Sequence, residues 1–149
     1  MHLKADDPVS AATKLRHAFV ANGYIAEMLS GNPEPAVLAI WHGSNLAEPE
    51  TARDYMDHCR DLWRRTPGAV AFMHWLHTHP KVLKERAAIL ECQEALLWEH
   101  DFASRQALSL REEAVRARID DVLSKEIVRS RPDRHGRSIE PWRYQRVRF

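Results

Sequence analysis

Proline and glycine divide this chain into segments of helical length, and their spacing constrains the fold more than any other feature. Asp7-Pro8 forms a good N-cap and first-turn pair, and Gly31 is a natural stop. The spacing therefore predicts a first helix from about Pro8 to Ser30. Asn22-Gly23 lies within it as a candidate bend.

Apolar residues at the helical interval and further breaks predict helices over residues 36–42, 49–66, 69–79, 80–100 and 109–129. The segment 69–79 is apolar on nearly all sides, so it is either buried centrally or lies at an interface. Ser109 with Glu112 forms a capping box, which predicts the start of the last helix. No sustained alternation appears before residue 139. The predicted fold class is all-α, a compact bundle of five or six helices with an extended basic C-terminal arm.

Composition bounds the class of protein. With 149 residues, 44% apolar and 29% charged, the chain is most simply one globular domain over residues 1–130, followed by an arm over 131–149. No run approaches ~18 apolar residues, which argues against a membrane partner. Asp6 and Asp7 do not suit a signal peptide, and Cys59 and Cys92 fall on predicted apolar faces. We therefore expect reduced thiols and a cytoplasmic location. With five glycines and no phosphate-cradling loop, no cofactor is expected.

Tryptophan supplies a further expectation about the core. Trp41, Trp63, Trp75 and Trp98 all fall in predicted helices, where their large apolar rings would largely fill the interior. Trp142 lies in the arm, and we expect it to stay apart from that core.

The arm is strongly basic. Residues 129–149 hold seven arginines, no lysine and two acidic residues, a net charge of +5, whereas the preceding 128 residues hold 15 basic and 19 acidic residues, a net charge of −4. Aromatic residues alternate with the arginines, so flat rings lie beside planar forked donors that suit phosphate. The arm therefore favours nucleic acid or an acidic protein partner.

The last predicted helix carries a basic edge. Its four cations are 7, 7 and 4 residues apart, which places them within about 40° on one side of the helix. Together with the arm, this edge predicts phosphate contacts with little sequence preference, with Trp142 and Tyr144 stacking unpaired bases. The candidate nucleic-acid-binding residues are Arg111, Arg118, Lys125, Arg129, Arg131, Arg134, Arg137, Trp142, Arg143, Tyr144, Arg146 and Arg148. The alternative is that these arginines shield the apolar side with their stems while the arm docks on the acidic body.

A second motif lies in the segment 53–58, Arg-Asp-Tyr-Met-Asp-His. It resembles the arginine, polar residue, spacer and histidine signature of HEPN ribonucleases, small all-α domains that act as dimers. The resemblance implies His58 as the acid–base group and Arg53 as the phosphate clamp, beside Asp54. Alternatively, Arg53 forms a salt bridge with Asp57.

Histidines supply a third pattern. His74, His77 and His79 precede His100-Asp101 and Asp120-Asp121, an order that resembles HD-type metal phosphohydrolases. That resemblance implies imidazoles and carboxylates converging on divalent cations. Packed or helix-end histidines are the alternative, and we expect no metal.

Taken together, these features predict a non-catalytic accessory subunit that binds nucleic acid, RNA rather than DNA, within a larger nucleoprotein assembly. Its architecture is similar to that of the small all-α subunits of CRISPR effector complexes. In this hypothesis the segment 69–76 faces a neighbouring subunit. The expected partners are nucleic acid and either other protein subunits of an assembly or a second copy of the chain. The alternatives are a HEPN-like ribonuclease using Arg53 and His58, and a protein–protein adaptor using the arm.

Overall fold

The structure, a computed structural model, describes residues 7–32, 49–130, 134–136 and 140–142. Within these ranges every regular element is helical and no strand occurs, which confirms the all-α class. The helices are α1 (Pro8–Ala21), α2 (Gly23–Leu29), α3 (Pro49–Arg65), α4 (Ala69–Thr78), α5 (Pro80–Trp98) and α6 (Phe102–Arg129). None of these helices is long and apolar enough to cross a membrane. The predicted helix over 36–42 and most of the arm lie outside the described residues.

The first predicted helix is divided in two at Asn22, as the Asn-Gly pair suggested. Asn22 has extended backbone angles and caps both helices: its N–H donates to Ala18, and its side chain accepts from the Tyr24 N–H at 3.1 Å. At the start of α1, Asp7 accepts from the Ser10 N–H at 3.0 Å. Capping of both ends of the break allows α2 to turn away from α1 with its terminal donors and acceptors satisfied.

Helix α4 is the central element of the bundle. Ala69, Phe72, Met73 and Leu76 are fully buried, and α4 contacts α1, α2, α3 and α5. Its start follows Gly68, whose φ of 72° is the left-handed conformation that glycine adopts without strain. The expectation that segment 69–76 faces a neighbouring subunit is therefore wrong, because its own chain covers it.

Helix α6 begins seven residues earlier than the capping box predicts. The Asp101 side chain accepts from the Ser104 N–H at 2.8 Å, so Asp101 is the N-cap. Arg105 then donates from Nη1 to the Leu96 and Glu99 carbonyls, both at 2.7 Å, and satisfies the end of α5. A helix that already runs through Ser109 has no free N–H there for a cap to satisfy, which is why the capping-box prediction fails.

The tryptophan prediction is correct at two positions and wrong at two, and Trp41 lies outside the described residues. Trp63 and Trp75 are buried as expected, but Trp98 is 75% exposed, whereas Trp142 is only 8% exposed. The Trp142 ring lies 4.9 Å from Phe72 and 5.0 Å from Trp75, measured between ring centroids. Segment 140–142 thus completes the core over α4, while Trp98 lies at the end of α5, beyond the buried residues of that helix.

Helices α5 and α6 form an antiparallel hairpin with two unequal parts. Its base, residues 80–92 and 116–129, contains all the buried residues of the two helices and is crossed by α1. Its tip, residues 93–115, contains no buried residue at all. The tip therefore projects beyond the rest of the described bundle.

Candidate functional site

The predicted basic edge exists as one side of α6. Arg111, Arg118, Lys125 and Arg129 are all exposed, and the edge runs roughly 27 Å along the helix. Position and exposure suit contacts to a polyanion.

Carboxylates of the same chain already engage two of these four cations. Arg111 Nη2 lies 3.6 Å from a Glu91 oxygen, and Lys125 Nζ lies 2.7 Å from an Asp121 oxygen. Arg118 and Arg129 have no ion pair with any residue in the described ranges. Exposed pairs of this kind stabilise a protein by only about 0–1 kcal/mol and exchange readily for phosphate. The edge therefore offers phosphate fewer cations than its four basic residues suggest. Arg118 and Arg129 are the two that remain available.

The arm is only partly described. Arg134 is exposed beside Gly136, whose φ is 72°. Trp142 does not present a surface for base stacking, because its ring is packed against Phe72 and Trp75. That part of the prediction is wrong for this arrangement of the chain. The remaining candidates of the arm lie outside the described residues: Arg131, Arg137, Arg143, Tyr144, Arg146 and Arg148.

The two residues of the ribonuclease motif lie apart on the exposed side of α3. Their i, i+5 spacing separates Arg53 and His58 by roughly 140° around the helix. The His58 side chain is 75% exposed, with Nδ1 2.8 Å from the Asp54 carbonyl oxygen. This backbone contact, with the nearby Asp54 carboxylate, raises the pKa of His58 above its ordinary value. Arg53 forms no ion pair with Asp57 in the described part of the chain.

The histidines and acids of the metal-type pattern are held in separate contacts. His77 Nε2 lies 2.7 Å from Glu27, and His79 Nε2 lies 3.1 Å from Glu126. His79 also caps α5 by accepting from the Lys81 N–H, while Asp101 caps α6. Over the described residues, no group of three or more metal-type ligands converges. The sequence order of this pattern therefore reflects helix ends and packing contacts.

A buried charged network joins α1 to the hairpin base, and sequence reasoning missed it. Arg16 is 2% exposed and donates to both carboxylate oxygens of Glu85, with Nε 2.8 Å from Oε2. Its Nη1 donates to Asp120 at 2.6 Å, and Thr13 donates to the same oxygen at 2.9 Å. Burial lowers the pKa of Arg16, but the bonds to Glu85 and Asp120 outweigh it, so that its pKa lies above the ordinary value.

The signal for this network was present in the sequence but ambiguous. Arg16 falls among apolar residues on α1, at Leu15, Phe19 and Val20. A charged residue on an apolar helix face requires a partner, yet the spacing does not reveal that the partners are 69 and 104 residues away.

A second polar contact that the sequence did not reveal links α2 to α4. His77 is buried against Phe19, with ring centroids 5.2 Å apart, and contacts Glu27 through Nε2. Its Nδ1 is buried without a hydrogen-bond partner among the described residues. Burial lowers the pKa of His77 below its ordinary value, although Glu27 opposes the shift. The contacts fit a neutral ring that donates from Nε2, since a proton on Nδ1 would have no acceptor.

An apolar cavity of about 140 Å³ lies among α1, α2, α3 and α4. Phe19, Leu29 and Met73 line it, and Tyr55 contributes a hydroxyl that accepts from Trp63 Nε1 at 2.9 Å. Its walls offer no carboxylate, imidazole, thiol or amine. The cavity lacks the groups that catalysis or ion binding requires.

No protein-family model, curated protein or solved structure matches this chain.

Proposed function

We propose that the protein is a non-catalytic nucleic-acid-binding subunit that holds single-stranded RNA along the basic edge of α6 and the arginines of the arm. The observation that carries the proposal is the exposure of Arg118 and Arg129 without ion pairs in the described ranges, next to a C-terminal segment, residues 130–149, whose six arginines and two acidic residues give a net charge of +4. Guanidinium groups bind phosphate bidentately, and releasing counterions from a nucleic acid favours such binding.

The packing of Trp142 supports a fixed point of attachment for the segment that follows it in sequence. Because Trp142 contacts Phe72 and Trp75, the chain is held against α4 at that residue. Arg143, Arg146 and Arg148 then act as phosphate ligands that are attached to the body at one end. Such attachment reduces the conformational entropy lost on binding.

The direct test is the salt dependence of binding to a fluorescently labelled single-stranded RNA of about 20 nucleotides, with DNA of the same sequence for comparison. We expect the logarithm of the binding constant to fall linearly with the logarithm of salt concentration, with a slope of about −0.7 for each phosphate contacted. RNA should bind more tightly than DNA. Absence of binding at about 50 mM salt would contradict the proposal.

Paired variants separate the available cations from the engaged ones. Arg118→Gln with Arg129→Gln should reduce the salt slope by about 1–2 and weaken binding. Arg111→Gln with Lys125→Gln removes the same charge from the same edge, but from groups already held by Glu91 and Asp121, and should cost less. Equal losses would show that only net charge matters.

Truncation tests the arm. The truncation should follow Trp142, because removing Trp142 as well would open the core and confuse unfolding with lost binding. We expect a chain ending at residue 142 to keep its thermal stability and to lose most of its affinity for RNA. Unchanged affinity would exclude the arm as a phosphate ligand.

The same RNA distinguishes the two alternatives. Cleavage that His58→Ala abolishes would favour the ribonuclease, in which His58 is the acid–base group. A protein partner that is lost on truncation, without any affinity for RNA, would favour the adaptor.

A further inference from the structure

One side of α6 is apolar and exposed in the single chain. Five residues form it, at alternating intervals of four and three residues, and we call it the α6 seam: Ala103, Ala107, Leu110, Ala114 and Ala117. All five are exposed, and Leu110 keeps 57% of its surface. Alternating intervals of three and four residues are the a and d positions of a coiled coil, which insert between the side chains of a second helix.

The α6 seam is distinct from the side of α6 that packs within the chain. The half-buried residues Leu108, Val115 and Ile119 lie roughly 120–160° around the helix from the middle of the seam. Helix α5 covers that side along the hairpin. A second helix would therefore reach the seam without displacing α5.

Charges flank the seam in an ordered way. Taking Ala107 and Ala114 as a positions, the e positions are Arg111, Arg118 and Lys125, and the g positions are Gln106, Glu113 and Asp120. One flank is therefore basic and the other polar or acidic. In a parallel pair of helices, each g residue faces the e residue five positions further along its partner. This brings Glu113 opposite Arg118 of a second copy, on both sides of the two-fold axis.

The same charges determine whether the two α6 helices pair in parallel or antiparallel. In an antiparallel pair, e residues face e residues and g residues face g residues. Arginine then faces arginine, and Glu113 faces Glu113 of the second copy. Glu113 and Arg118 have no ion pair inside the described part of the chain, so both are available. Arg16 already holds Asp120, and Asp121 holds Lys125, so Glu113 and Arg118 decide the choice.

We propose that the α6 seam is a self-association surface, on which a second copy of this chain packs its own seam in parallel and two-fold symmetric register. The interface ends at Asp121, which occupies the next a position. There the Asp121 carboxylates of the two copies would face and repel each other. Four helical turns with four alanines bury little area, so the dimer belongs with small, transient interfaces. The proposal needs no nucleic acid, but its Glu113–Arg118 pairs engage one of the two cations that the proposed function assigns to phosphate, so RNA and the second copy would compete for Arg118.

Analytical ultracentrifugation of the purified full chain, without nucleic acid, tests the association. We expect a monomer–dimer equilibrium that Leu110→Glu shifts to monomer while circular dichroism stays unchanged. Leu62→Glu on α3 is the matched control, because Leu62 is 50% exposed and lies outside the seam. A wild-type protein that is monomeric at every concentration, or an equal effect of the control, would overturn the proposal.

Single cysteines test the orientation. Ala103→Cys and Ala117→Cys lie roughly 21 Å apart along the helix, too far to bridge unless the helices are antiparallel. In a mixture of the two variants, one of them tagged, mild oxidation should give 103–103 and 117–117 disulfides and no 103–117 disulfide. The unmodified protein controls for Cys59 and Cys92. Predominant 103–117 disulfides would reject the parallel arrangement.

Charge reversal tests the pairing itself. Glu113→Arg and Arg118→Glu should each weaken the dimer about tenfold, because each replaces two attractive contacts by two repulsive ones. The double variant should restore association. Failure of the double variant to recover would show that these residues do not face each other.

Discussion

The base and the tip of the α5–α6 hairpin consist of the same two helices, yet they differ in whether a third helix packs on them. At the base, α1 lies across the hairpin, Leu123 and Ile127 are buried, and Arg16 joins α1 to both helices. At the tip, the end groups are satisfied by Asp101 and Arg105, but no residue is buried and Trp98 is 75% exposed. Local capping is thus enough to shape a hairpin, whereas burial requires a third element.

The two tryptophans show the same contrast. Trp98 belongs to a regular helix and is exposed, whereas Trp142 belongs to an irregular segment and is buried against α4. Secondary structure therefore does not decide which of them contributes to the core. The decisive factor is whether an apolar surface of matching size lies within reach, as Phe72 and Trp75 do for Trp142.

The largest effect should come from breaking the network of the base. Arg16→Met leaves the carboxylate of Glu85 buried without its partner, and we expect a loss of about 3–5 kcal/mol in the free energy of unfolding. Urea denaturation measures it. Arg16→Met combined with Glu85→Leu should recover most of the loss, and Arg105→Met at the tip should cost far less. Equal losses at base and tip would refute the distinction.

The tryptophan pair gives the next largest difference. Trp142→Ala removes a ring packed on Phe72 and Trp75, which should lower the free energy of unfolding by about 3 kcal/mol. Trp98→Ala should change it by less than about 0.5 kcal/mol. Chemical denaturation of both variants provides the comparison. If Trp142→Ala leaves the midpoint unchanged, segment 140–142 does not belong to the core.

Capping at the tip should have a local effect. Asp101→Ala leaves the Ser104 N–H without its acceptor, so the first turn of α6 should exchange its amide hydrogens faster. Ser109→Ala is the control, because Ser109 lies inside α6 and caps nothing. Hydrogen exchange measured by mass spectrometry resolves the two regions. Faster exchange near Ser109 in the control would restore the capping box as the helix start.

The smallest effect should be a pH dependence that originates in the body of the bundle. The pKa of His77 is lower in the folded chain than its ordinary value of 6.5, so the unfolded chain binds the extra proton first. The stability that His77 contributes is therefore fully present above about pH 6.5 and is lost as the pH falls through its folded pKa. Urea midpoints between pH 7.5 and 5 should decline, and His77→Gln should flatten the decline. A midpoint that rises on acidification would show that the Glu27 contact dominates.

Much of the fold was predictable because helix ends obey local rules. Pro49, Pro80 and Gly68 delimit helices with little help from distant residues, and the Asn22 break follows from its own side-chain cap. The start of α6 was not predictable in this way. Asp101 and Ser109 are both competent caps, and the choice depends on Arg105 closing the preceding helix.

The candidate site was less predictable than the fold. The alignment of Arg111, Arg118, Lys125 and Arg129 on one edge follows directly from helical geometry. Their availability does not, because Glu91 lies on another helix and engages Arg111 only through the antiparallel hairpin.

The sequence by itself determined the helical class, most of the helix bounds and the charge contrast between body and arm, since all of these depend on neighbours within a turn or two. Only the tertiary structure decided that Arg16 is buried between Glu85 and Asp120, that Trp142 completes the core and that α4 lies at its centre. The physical reason is that desolvation and ion pairing are set by groups far apart in the chain. Their meeting depends on how whole helices pack, and helical periodicity alone does not specify that packing.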